Sequence, residues 1–161
     1  MMRRVLLIAL VCASFATGCG DHRLTASGFA RFESDDLRTG FELPMNVRID
    51  GDGAAGGVTG SCEIEPVGDE EYAVIIDLFG GGGDEGLRSL TLRAQSDGAS
   101  SSVEARVASG TYTGDASCVV ELTDVDGDDV IVDVEACTLT SGTSTATLDA
   151  HLELDGCAVV Q

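Results

Sequence analysis

From residue 24 onward, apolar and polar side chains alternate with a period of two. Leu24, Ala26, Gly28, Ala30 and Phe32 share one parity, and Thr25, Ser27, Phe29, Arg31 and Glu33 fall on the other. Phe41, Leu43, Met45, Val47 and Ile49 alternate in the same way with Glu42, Pro44, Asn46, Arg48 and Asp50. Successive side chains of a strand point to opposite faces, so both segments read as strands with one face on a core. Pro44 has no amide to donate to a ladder, which places its strand at an edge or gives it a bulge there. Val58, Gly60, Cys62 and Ile64 continue the pattern. Residues 71–79, EYAVIIDLF, are more continuously apolar and read as a central strand.

Further alternating runs fall at 87–95, 102–109, 117–125, 129–139 and 144–154, about nine strands in all, and no stretch has convincing helical spacing. Between them lie segments rich in Gly, Asp and Ser at 50–57, 79–86, 96–102 and 140–144, residues that supply positive φ or side-chain-to-backbone turns. Short strands joined by tight turns predict an all-β fold: a single antiparallel β-sandwich of about eight to nine strands, with a meander β-barrel as the alternative. The glycine run 80–83 reads as a loop and not a domain linker, because the same alternation resumes beyond it.

Residues 1–23 do not follow this pattern. Arg3 and Arg4 precede the 12-residue apolar run Val5–Ala16. A bilayer-spanning helix needs about 20 residues, so the run reads as the apolar part of an export signal helix. Its exit, Ala16-Thr17-Gly18-Cys19, resembles the lipobox of bacterial lipoproteins, with Ala16 where leucine is commoner. The resemblance covers residues 1–19. It implies cleavage before Cys19, a diacylglyceryl group on the Cys19 thiol, later acylation of the freed amine, and a membrane-anchored life in the bacterial cell envelope. Gly20 rather than aspartate after that cysteine implies the outer membrane. On this reading 1–18 is a lipoprotein signal peptide, 19–23 the lipid anchor with a short tether, and 24–161 the all-β domain.

Processing changes the charge. The whole chain has a formal net charge of −19; loss of Arg3 and Arg4 with the signal makes it −21, and no lysine occurs. A surface of that sign repels nucleic acid and excludes a basic-patch DNA or RNA binder. Processing also changes the cysteine count. Cys12 leaves, Cys19 is the lipidation site, and Cys62, Cys118, Cys137 and Cys157 remain. Four cysteines in an exported chain predict two disulfides, with three possible connectivities.

The hairpin over 118–137 narrows the choice. Pairing Leu122 with Val132 and Val120 with Val134 puts both apolar sets on one face. Cys118 and Cys137 then miss each other by one residue, and a one-residue offset points side chains to opposite faces. Without a bulge the expected pattern is Cys62–Cys118 with Cys137–Cys157.

No residues assemble into a recognisable catalytic constellation. The segment Asp124–Asp129, DVDGDD, resembles the start of a calcium loop, but its glycine at 127 is one place early and no helices flank it, although Glu135 occupies the twelfth position. It reads as an Asp-Gly hairpin turn, and Asp50–Gly53 reads likewise; clustered acids of this kind bind divalent cations weakly. His151, between Asp149 and Glu153 at outward parity, reads as a solvated face residue, and His22 lies too near the anchor to join a buried site. There is no nucleophile elbow, no zinc spacing and no phosphate-binding lysine beside the glycine run. The expectation is a non-enzymatic lipoprotein without cofactor or metal, whose β-domain binds a protein or glycan or serves structurally. The alternative is a lipocalin-like carrier of a small apolar ligand.

Overall fold

A computed structural model of the chain describes residues 23–51, 57–68, 71–80, 86–98, 100–115 and 117–160. The segment 1–18 that was read as a signal peptide, Cys19 and His22 lie outside the described residues, as do parts of the 50–57 and 79–86 loops. Eleven strands occur among those described: β1 (Thr25–Ser34), β2 (Arg38–Arg48), β3 (Val58–Pro66), β4 (Tyr72–Gly80), β5 (Ser89–Gln95), β6 (Ser101–Val107), β7 (Gly110–Gly114), β8 (Val120–Asp126), β9 (Asp129–Ser141), β10 (Ser144–Asp155) and β11 (Ala158–Val159). The fold is all-β. Two strands went unread in the sequence: β7, GTYTG, and β11, which is two residues long. Both are too short to show a period.

The strands form one hydrogen-bonded sheet in the order β11-β3-β4-β5-β6-β7-β9-β10-β1-β2, with β8 also paired to β9. Neighbours are antiparallel except β11, which lies parallel to β3. This differs from the two separate sheets of the expected sandwich: a single sheet curls into a half-barrel. Its far ends approach each other. The Ile49 amide donates to the Leu24 carbonyl at 3.1 Å, and the Gly60 amide of β3 donates to the Ile49 carbonyl at 2.8 Å.

Bulges supply the curl, because an extra residue on one strand bends it and raises the local twist. Pro44, Met45 and Asn46 of β2 stand opposite the single Ser27 of β1, with Asn46 at φ 54°. β2 is thus both an edge strand and a bulged one, as Pro44 required. The bulge throws Met45 outward, where it is 85% exposed, although its parity matches the buried Phe41, Leu43 and Val47. A second bulge puts Glu135 and Ala136 of β9 opposite Asp149 of β10, and a third places Thr123 in β8.

The inward side chains of β1 to β10 feed one contiguous apolar cluster, which includes Phe32, Phe41, Ile76, Leu92, Leu139 and Leu152, while both residues of β11 are exposed. Among the described residues no polar or charged residue is buried. Within it Phe32 meets Tyr112 edge-on, ring centroids 5.1 Å apart. Burial of this apolar surface, at about 25 cal/mol per Å², is the main favourable term of the fold.

The disulfides are Cys62–Cys157 and Cys118–Cys137. This corrects the pairing of Cys62 with Cys118 and of Cys137 with Cys157. The hairpin register itself is as read, with Val120 opposite Val134 and Leu122 opposite Val132. The β9 bulge is what changes the outcome. Burial runs through Val130, Val132 and Val134, skips Glu135 and Ala136, and resumes at Cys137 and Leu139. Ala136 adopts φ 46°, and its amide donates to the Asp149 carboxylate at 2.7 Å, so the group freed by the bulge keeps a partner. The inserted residue rotates Cys137 inward, onto Cys118.

Candidate functional site on the outer face

The outer face of β2, β1, β10, β9 and β8 gathers side chains remote in sequence. The register sets Glu42, Phe29, His151 and Asp133 in one transverse row, since Phe29 pairs with Glu42 and with His151, and His151 with Asp133. His151 Nδ1 donates to Asp133 Oδ1 at 2.6 Å; Thr123 Oγ1 donates to Asp133 Oδ2 at 2.6 Å. On its other side, His151 Nε2 faces Glu153 Oε1 at 3.4 Å. Phe29 lies beside the imidazole at 6.5 Å between centroids, and the Arg31 guanidinium covers the Phe29 ring at 4.4 Å. The β9 bulge opens an adjoining cleft of about 460 Å³ between Arg31, Glu135, Ala136, Asp149 and His151.

His151 was read as a solvated residue; it does lie on the outer face, but half-buried and held by two carboxylates. The hydrogen bond to Asp133, then Glu153, raises its pKa above 6.5. Thr123 first, and His151 second, hold Asp133 below 3.8. Asp133 and Thr123 are 18 and 28 residues away from His151, and no local spacing singles them out.

This trio does not have the connectivity of a nucleophile–base–acid relay. The hydroxyl bonds the carboxylate, not the imidazole, and the second imidazole nitrogen meets another carboxylate. The arrangement can clamp β8, β9 and β10 together and hold a proton. Its stabilisation has a pH window. A raised histidine pKa contributes fully below 6.5 and is lost as pH rises through the folded value. A lowered aspartate pKa contributes above 3.8 and is lost as pH falls through its folded value. His151→Gln should therefore cost about 0.5–1 kcal/mol near pH 5.5 and less at pH 9. Urea titrations of both proteins at the two pH values check this; an equal difference at both would remove the charged-pair account.

At the β8–β9 turn, Gly127 (φ 68°) and Asp128 link the paired residues Asp126 and Asp129. Asp124–Asp129 is thus a two-residue hairpin turn, not a calcium loop. The end of β10 brings further acids against it: Asp124, Asp126, Asp129, Glu153 and Asp155 line a cleft of about 260 Å³ with Asn46. Among the described residues no three His, Cys, Asp or Glu side chains are grouped to hold a metal ion. Desolvation, then repulsion from Asp155 and from Asp128 and Asp126, raises the Asp129 pKa. A carboxylate with a raised folded pKa loses stability as pH climbs from 3.8 through that value. Asp129→Asn should accordingly raise the melting temperature at pH 7 in low salt, but not at pH 3, and added salt should shrink the gain. A melting temperature lowered at pH 7 would show that this carboxylate is needed by the turn.

The four body cysteines are all buried in disulfides. The lipidation candidate, Cys19, lies outside the described residues. Among the described residues, Leu24 at the start of the body is buried, and its carbonyl accepts from the Ile49 amide at the end of β2. No family model, no curated protein and no solved structure matches this chain. The fold and its outer face define a disulfide-stabilised, acidic all-β half-barrel.

Proposed function

We propose that this chain is a cell-envelope lipoprotein, anchored through Cys19, whose acidic β-domain is a non-enzymatic binding or structural module. The observation that carries the reading is the sequence Ala16-Thr17-Gly18-Cys19 closing a 12-residue apolar run behind two arginines. The two buried disulfides are consistent with an oxidising, extracytoplasmic setting. Two or three acyl chains on one residue would bind stably, since one chain binds only reversibly and each buried CH₂ adds about 0.8 kcal/mol.

Only Gly20 to Arg23 would separate the anchor from Leu24, a reach of at most about 14 Å. The domain would lie against the membrane, at the outer membrane in the sorting implied by Gly20. Its clustered acids would take up divalent cations weakly, by charge and without a built site. The inward side chains pack against one another in one apolar cluster, which favours a filled module over a carrier with a ligand-sized lumen.

Metabolic labelling with a fatty-acid probe tests the anchor. The wild-type chain should incorporate label and partition with membranes. Cys19→Ser should abolish incorporation and leave the unprocessed precursor; label retained by that variant would overturn the reading.

A further inference from the structure

Two donors on the outer face of β10 converge on one point. His151 and Glu153 are two residues apart on that strand, so both side chains leave the same face, about 6.8 Å apart at the backbone. His151 Nε2 and Glu153 Oε1 stand 3.4 Å apart. That lies beyond the usual N–H···O range of about 2.7–3.2 Å. It matches the span of an imidazole nitrogen and a carboxylate oxygen on one tetrahedral Zn²⁺. With bonds of about 2.0–2.2 Å at the tetrahedral angle, two such donors are about 3.4 Å apart.

Each donor is aimed by its neighbours. The Nδ1–H of His151 is committed to Asp133 Oδ1 at 2.6 Å, and Thr123 Oγ1 holds the other oxygen of Asp133 at 2.6 Å. A metal-ligating histidine donates its other ring N–H to a carboxylate in this way, which leaves the Nε2 lone pair for the ion. Phe29 packs beside the ring. Ser27 Oγ donates to Glu153 Oε2 at 3.3 Å, so Oε1 is the oxygen turned toward the imidazole. Asp133 is spent on Nδ1, and the protein therefore supplies two ligands, in keeping with the absence of a three-ligand group among the described residues. The His151 and Glu153 side chains are 39% and 57% exposed, which leaves the remaining coordination positions to water.

We propose that His151 Nε2 and Glu153 Oε1 form an open binding site for one divalent transition-metal ion of the Zn²⁺ class, with Asp133, held by Thr123, orienting the imidazole. The ion takes the place of the Nε2 proton, which passes to solvent. The donor set selects the class of ion. Imidazole suits Zn²⁺, Cu²⁺ and Ni²⁺, whereas Ca²⁺ and Mg²⁺ take oxygen ligands. A chain of net charge −19 gathers cations of every kind at its surface, and the acids around Asp124–Asp129 offer no nitrogen. Only His151 tells one class of cation from the other. The site goes beyond the binding-module reading and stands whether or not Cys19 carries lipid.

The test uses the detergent-solubilised full chain, stripped with chelator and held in excess Mg²⁺ so that the acid clusters are occupied. Zn²⁺ titrated by calorimetry should saturate at one equivalent. His151→Gln should abolish that uptake, Glu153→Gln should weaken it about tenfold or more, and Asp133→Asn should weaken it by about 10- to 100-fold. In imidazole nitrogen NMR spectra of wild type, Zn²⁺ should shift Nε2 and leave Nδ1 protonated; Asp133→Asn should lose that preference between the two nitrogens, which a purely structural His151–Asp133 bond would not produce. No saturable Zn²⁺ uptake over Mg²⁺, uptake unchanged in His151→Gln, or a shift at Nδ1 in place of Nε2 would overturn the proposal.

Discussion

Replacing Cys62 and Cys157 together with alanine should destabilise the domain more than replacing Cys118 and Cys137. The Cys62–Cys157 bond joins residues 95 apart in sequence, and Cys118–Cys137 residues 19 apart. In the chain-entropy account the longer loop loses about 4–5 kcal/mol on removal of its cross-link, and the shorter about 3 kcal/mol. The structure adds a second reason for the order. Cys157 precedes β11, which touches β3 through only Ala158–Glu63 and Val159–Ile64. Without the bond, little beyond the Cys157 amide on the Asp128 carbonyl and the Val160 amide on the Ile64 carbonyl holds the C-terminal segment to the sheet. The bond thus ties the end of the chain to the strand that begins the other half of the curl.

Urea denaturation of the two double variants and the parent measures the difference. Larger loss from the Cys118/Cys137 pair would reverse the order. A non-reducing peptide map checks the connectivity beneath it, and a linked 62–118 peptide would show that the β9 bulge does not turn Cys137 inward.

Gly28→Ala should cost about 3–5 kcal/mol or abolish soluble expression. Gly28 sits at φ 118°, a conformation that side-chain-bearing residues rarely adopt, and strain of that kind costs about 1–3 kcal/mol. The larger obstacle is space. A Cβ built there falls 2.0 Å from the His151 carbonyl oxygen and 3.2 Å from the Leu152 Cα. These are backbone atoms of the paired strand β10, so no rotamer change relieves the overlap; the strand must move, and overpacking of this sort costs about 1–3 kcal/mol more. Because the atom displaced belongs to His151, the contact with Asp133 should suffer with the strand. Gly98→Ala is the control: it has φ 70° with nothing within 4 Å, so it should lose only about 1 kcal/mol. Equal melting temperatures for Gly28→Ala and wild type would show that β1 and β10 are not packed this closely.

Much of the local structure was legible. The inward residues of β1, β3, β4, β5, β6 and β10 are those of the apolar parity, because alternation is a property of each strand alone. The hairpin register of Val120 with Val134 followed from matching two apolar faces across a short turn. Pro44 announced an irregular edge because a missing amide is local chemistry. Met45 was misplaced, since two extra residues in the β2 bulge preserve the parity on either side while lifting the middle out. The site was less legible than the fold. His151 was visible, but its partners Asp133 and Thr123 come from other strands, and only the register of β8, β9 and β10 brings them together.

By itself the sequence determined that the body is all-β, which side chains the unbulged stretches turn inward, that Cys62, Cys118, Cys137 and Cys157 form an even set, and the acidic charge of the body. All of these depend on residue type and on a period of two. Tertiary structure alone decided the closure of one sheet in place of two, the pairing of Cys118 with Cys137, and the row that joins Phe29, His151 and Asp133. Each of those turns on bulges or on strand order. The β9 bulge inserts one residue without altering the alternation around it enough to be read, yet it turns everything beyond it to the other face of the sheet.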